Sequence, residues 1–135
     1  MELAGDSGRK PSNIRRLQPL RVLLAGRDRR FMRVTSFLLA RRGYAVSRSN
    51  VLDAVNVADR QRCDVVLVEL DGSRVEAGRV IAALQASAAA PAVVTLVEDG
   101  AENAWPGLRA LDKWTPIEKL AAEIDAAALR RVPLS

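Results

Sequence analysis

The sequence predicts an α/β fold, a parallel sheet covered on both faces by helices, and three observations carry that expectation. Asp64-Val-Val-Leu-Val-Glu69 is a continuous apolar, β-branched run. That is the pattern of a strand buried on both faces, since a half-exposed strand alternates. Two further short runs, Arg21 to Ala25 and Ala92 to Val97, are of the same kind. Between them apolar residues recur at helical spacing, and strands alternating with helices pair in parallel through right-handed crossovers.

Met1 to about Pro19 has scattered charges, Gly5, Gly8 and Pro11, without apolar periodicity, and is expected to be a disordered basic tail. Residues 20–135 then form one domain. Arg21 to Ala25, closed by Gly26, suits a buried first strand. Phe31, Val34, Phe37 and Leu38 fall at helical spacing, with Gly43 placed as a helix C′ residue. Tyr44 to Ser49 suits a second strand. Val51 to Arg62 follows as a helix with Asn50 as its N-cap. After the Asp64 strand, Ser73 is placed to cap a helix to about Ala86, with Val80, Ile81 and Leu84 as its buried stripe. Pro91 leads into the fourth strand, Ala92 to Val97. Glu98 to Gly107 supports only a turn or two of helix, and Leu108 to Asp112 makes a short fifth strand. Thr115-Pro-Ile-Glu118 reads as a capping box, with Thr115 as N-cap and Pro116 at N1. Leu120, Ile124 and Leu129 continue that helix. The sum is five βα units, a flavodoxin-like (βα)5 three-layer sandwich with strand order 2-1-3-4-5.

Composition narrows the chemistry. The chain has 135 residues and no histidine, which excludes Ser-His-Asp and Cys-His catalysis and histidine-based zinc sites. Its one cysteine, Cys63, has no internal disulfide partner and is expected to be a structural thiol in a reducing cytoplasm. No apolar run is long enough to cross a bilayer, and the N-terminus lacks an apolar signal core. Residues 1–62 hold 14 Lys/Arg against 5 Asp/Glu, whereas residues 63–135 hold 7 against 11. Such polarity suits a basic docking face or an ordinary solvated surface.

Glu69 projects from the carboxyl end of the third strand, where open α/β sheets place their ligands. With the apolar first strand, Gly72 after the acid, the Pro91-led fourth strand and Lys113 before the last helix, the chain resembles the response-regulator receiver family from about Leu20 to Leu129. An active receiver carries a phospho-accepting aspartate where Glu69 stands, and two acids after the first strand that help to hold Mg²⁺. The resemblance puts Gly26 and Arg27 at those two positions, with Asp28 as a less critical third acid. Gly26 and Arg27 have no side chain able to ligate a hard cation. Asp71 is a runner-up acceptor, better suited to a turn.

Lys113 matches the family's signature lysine, and Trp114 replaces the proline that normally follows it. The switch hydroxyl position falls on Leu96, with Thr95 one residue early. The switch aromatic falls on Ala110. The resemblance therefore implies a degenerate, pseudo-receiver type, without catalysis, without a cofactor and with no Mg²⁺ expected. Glu69 is open to three roles: an ion pair with Lys113, a mimic of the acyl phosphate, or a rearranged acceptor. Trp105 and Trp114 are either interface anchors or core residues.

Two other functions compete. One is a phosphate-accepting receiver using Asp28, Glu69, Asp71 and Lys113. The other is nucleic-acid binding through the tail residues Arg9, Lys10, Arg15 and Arg16 with the Arg27 to Arg33 cluster, although no helix-turn-helix is evident. A dinucleotide site is poorly supported, because Gly26 is the only glycine in the first strand's loop. The expected partner is a protein of unknown identity, with a homodimer through the last strand and helix also open. No membrane contact is expected.

Overall fold

The computed structural model describes residues 18–70, 74–98, 105 and 107–131. In chain order the elements are β1 (Arg21–Ala25), α1 (Arg29–Arg41), β2 (Ala45–Ser49), α2 (Ala54–Gln61) and β3 (Val65–Glu69). They continue as α3 (Arg74–Gln85), β4 (Ala92–Val97), β5 (Arg109–Asp112) and α4 (Ile117–Arg130). The five strands form one sheet in the order β2-β1-β3-β4-β5, parallel at every pairing. This is the 2-1-3-4-5 order of the flavodoxin-like fold. The expected short helix between Glu98 and Gly107, the Ser73 cap and most of the basic tail lie outside the described residues.

Alternation along the strands divides the core into two layers. Val22, Leu24, Val65, Leu67, Val94 and Leu96 face α1 and α4, meeting Phe31, Leu39, Leu120 and Ile124. Leu23, Ala25, Val66, Val68 and Val93 face α2 and α3, meeting Ala58, Ile81 and Leu84. Every residue of β3 is buried, as its unbroken apolar run requires. Glu69 keeps the parity of Val65 and Leu67, so its side chain enters the α1/α4 layer at the top of the sheet.

Four local expectations are corrected. On α1 the buried face is Phe31, Met32, Thr35 and Leu39. Val34, Phe37 and Leu38 are instead exposed at 52%, 59% and 36%. Helical spacing is satisfied on both sides of α1, and it does not say which side meets the sheet. Asn50 does not cap α2. Its Oδ1 accepts from the Asp53 amide at 2.8 Å and closes a turn, so the helix starts at Ala54. The Thr115 capping box does not form, because the hydroxyl of Thr115 donates to the Asp112 carbonyl and Pro116 takes the N-cap position. Leu129 is exposed, since nine residues beyond Leu120 is about half a turn round the helix. The α4 stripe is instead Leu120, Ala121, Ile124 and Ala127.

Candidate functional site

The site lies at the carboxyl end of the sheet, where β1, β3 and β5 deliver Gly26, Glu69 and Lys113 to one point. Glu69 is 3% exposed and Lys113 6%. Burying a charge is costly unless it is paired and hydrogen-bonded, and both conditions are met. Glu69 Oε1 accepts from the backbone N–H groups of Arg27 and Asp28 at 2.9 and 3.1 Å. Those amides lead into α1, whose N-terminal end favours an anion. Glu69 Oε2 lies 2.6 Å from Lys113 Nζ. That approach is off the hydrogen-bonding direction, and Oε2 has no hydrogen-bond partner among the described residues, so its stabilisation is charge on charge.

Lys113 Nζ also donates to Asp28 Oδ2 at 2.8 Å. The ammonium lies 5.1 Å from the ring centroid of Phe31 and 5.3 Å from that of Trp114, within cation–π range. Burial disfavours the charged lysine, but the hydrogen bond to Asp28 and the negative charges of Glu69 and Asp28 outweigh it, and its pKa is raised. Asp28 is held below its usual value, first by the bond from Lys113 and then by the Phe31 amide. That amide donates to Asp28 Oδ1 at 3.0 Å, so Asp28 is the N-cap of α1.

Gly26 has a part that composition alone does not suggest. A Cβ at this position would sit 2.2 Å from Glu69 Oε1 and 2.8 Å from Glu69 Cβ. The longer arm of the glutamate fills the space that a side chain at residue 26 would occupy. Glu69 and an acid at position 26 are therefore mutually exclusive in this backbone.

These residues do not fit a hard divalent cation. Magnesium needs several oxygen ligands in near-octahedral array. Here Asp28 and Glu69, the two carboxylates at the site among the described residues, are bridged by an ammonium, and Gly26 is blocked. Among the described residues no group of three acids, histidines or cysteines is placed to hold a metal. Asp71 lies outside the described residues.

The switch positions fall on the sheet as follows. Leu96 pairs with Glu69 in the register of β3 and β4 and is buried in the α1/α4 core. Thr95 is fully buried on the opposite parity, and its hydroxyl donates to the Arg109 carbonyl at 3.2 Å, away from Glu69. Ala110 pairs with Thr95. Leu96 and Ala110 themselves carry neither a hydroxyl nor a ring. Cys63 is buried and free, its thiol pushed up to about 11 by burial and by the charge of Asp64. A depressed pKa would have marked it as reactive, and this is the opposite.

The two tryptophans part company. Trp105 is half-buried, packing on the α2/α3 core and against Gly78, where a Cβ would come within 2.9 Å of its ring. Trp114 is 62% exposed and meets Phe31 edge-to-face at 5.6 Å. It walls a groove of about 270 Å³ with Val34, Leu38 and Ile117, floored by Phe31 and Leu120. Trp105→Ala is expected to cost roughly 2 kcal/mol or more, and Trp114→Ala about 1 kcal/mol, mainly the ring pair. Chemical denaturation of the two variants checks the order, and a larger loss for Trp114 would place it in the core.

The comparisons bear on this geometry. No protein-family model matches the chain, and no curated protein is significantly similar in sequence. Solved structures do match. The receiver domain of a modulated diguanylate cyclase from Desulfovibrio desulfuricans superposes with a TM-score of 0.72 at 20% identity, covering 84% of this chain and 97% of that one. The chemotaxis response regulator CheY4 of Vibrio cholerae matches at 0.70 and 18% identity, over 82% and 99% of the two chains. A response regulator receiver protein from Sinorhizobium medicae matches at 0.71 and 15% identity, over 86% and 99%. The chain has the receiver fold. The match spans nearly the full length of these neighbours, and the carboxyl end of this chain's sheet carries the Glu69–Lys113–Asp28 cluster. No helix of the described residues is long and apolar enough to cross a membrane.

Proposed function

We propose that this chain is a degenerate member of the response-regulator receiver family, a cytoplasmic signalling module that works by protein contact and independently of phosphorylation. One observation carries this. The Glu69 carboxylate fills the space at Gly26 and is neutralised by two loop amides and Lys113. Phosphoryl transfer depends on positioning and on charge stabilisation by metal. Here the acceptor arm is one methylene longer than an aspartate's, its oxygens are engaged, and the metal-ligand positions hold a glycine and an arginine. The module is not an enzyme, takes no Mg²⁺, and acts on a protein partner. The exposed groove beside Trp114 supports a contact surface, since contiguous exposed apolar residues mark interaction sites.

An amide NMR titration of the full chain with Mg²⁺, then beryllofluoride as phosphoryl mimic, tests this. Resonances of Asp28, Glu69 and Lys113 are expected to stay fixed through millimolar additions. Saturable shifts there would show a pocket that still takes metal and phosphoryl, and would sink the proposal.

A further inference from the structure

A second cluster lies on the outer side of α1, towards the sheet edge at β2, and does not involve Glu69. Helix α1 opens with Arg29 and Arg30 and has no acid in its first turn, although the N-terminal end of a helix disfavours cations. Arg29 and Arg33 stand one turn apart on one face, and like charges at that spacing also destabilise a helix. Arg48, on β2, brings a third guanidinium to the same shallow cavity of about 550 Å³, whose lining is completed by Met32 and Ser49.

None of the three arginines pairs with a carboxylate among the described residues. Asp28, next to Arg29 in sequence, is engaged through both oxygens, by the Phe31 amide and by Lys113. The Ser49 hydroxyl donates to the Asn50 carbonyl. Local rules are thus broken twice in one place with no carboxylate among the described residues paired to these arginines, and such breaks concentrate where a protein binds something.

We infer that Arg29, Arg33 and Arg48 form a phosphate-binding site for the backbone of a nucleic-acid duplex. Guanidinium forks match phosphate oxygens two at a time. Among the described residues the cavity is lined by no ring on which an unpaired base could stack, so a single strand loses its usual platform. Its one apolar side chain among the described residues, Met32, offers no pocket for the anchor residues of an acidic peptide. Contacts to backbone alone position a duplex without reading its sequence. The surplus of cations over residues 1–62 reinforces the attraction at longer range.

Fluorescence anisotropy of the full chain with a labelled DNA duplex of mixed sequence, between 50 and 200 mM salt, is the test. Three phosphate contacts at a slope of about −0.9 each correspond to roughly a 40-fold loss of affinity over that range. The triple variant Arg29→Gln, Arg33→Gln, Arg48→Gln is expected to bind at least tenfold more weakly, with its salt slope flattened by about 2.7. Arg29→Glu separates binding from folding. It places an acid at the positive end of α1 and one turn before Arg33, so its melting temperature should rise while duplex affinity falls. The inference is overturned if wild type fails to bind duplex at 50 mM salt, or if the triple variant keeps wild-type affinity and slope. Polyglutamate binding as tightly as duplex would also overturn it, by making this a carboxylate site.

Discussion

Lys113→Met is expected to cost about 3–5 kcal/mol, because it strands the buried Glu69 carboxylate. The loop amides of Arg27 and Asp28 would still serve Oε1, but Oε2 would lose the ammonium at 2.6 Å and has no hydrogen-bond partner to fall back on among the described residues. Against a total stability of roughly 5–15 kcal/mol for a domain, that is a large share. It corresponds to a fall in melting temperature of about 10–20 °C. Removing both charges should cost less than removing one, so Lys113→Met with Glu69→Gln should regain more than half of the loss.

The pH dependence follows from the signs. Lys113 has a raised pKa, so its contribution is full below the ordinary lysine value and is lost only as pH rises through the raised one. Asp28 is lowered, so its contribution is full above the ordinary carboxylate value and is lost only as pH falls through the lowered one. In wild type the contribution of Lys113 and Asp28 should therefore be flat between about pH 5 and pH 9. Urea denaturation at three pH values checks both points. A loss under about 1 kcal/mol would mean that Glu69 does not depend on this lysine.

The parts of this fold that were legible in the sequence are those in which local pattern and burial coincide. β3 is buried on both faces, so five consecutive residues declare it, and the strand order follows from the alternation of elements. Periodicity failed where a helix is apolar on more than one side. On α1 it found Val34, Phe37 and Leu38, which are exposed, and passed over Met32, Thr35 and Leu39, which are buried. Capping motifs failed where a competing carbonyl lay closer, as Asp112 does to the Thr115 hydroxyl.

The candidate site divides in the same way. An acid at the end of β3 and a lysine before the last helix could be found by position along the chain. The tie of Glu69 to the Arg27 amide joins residues 42 apart, and no periodicity reports such a contact. Arg48 escaped the arginine-rich Arg27 to Arg33 stretch for the same reason, since only the pairing of β2 beside β1 brings it to α1. What no single residue disclosed was that Glu69 occupies the space a side chain at residue 26 would need.

Gly26→Ala tests that coupling directly. The added methyl would meet Glu69 Oε1 at 2.2 Å and Glu69 Cβ at 2.8 Å. Oε1 lies at the end of a flexible arm and can be displaced, but only by giving up the two loop amides. Glu69 Cβ is fixed to the β3 backbone, which is held on both sides by β1 and β4. Overpacking and lost hydrogen bonds together should cost about 3 kcal/mol. In a Glu69→Ala background the worst contact is gone, and the same substitution should cost at least about 1 kcal/mol less, a coupling typical of residues in contact. Equal costs in both backgrounds would show that the glycine serves the backbone of the loop and not the glutamate. The cycle also bears on function. If the two positions are coupled, an acid cannot return to residue 26 while Glu69 remains, and Gly26→Asp alone should lose stability without gaining Mg²⁺ affinity.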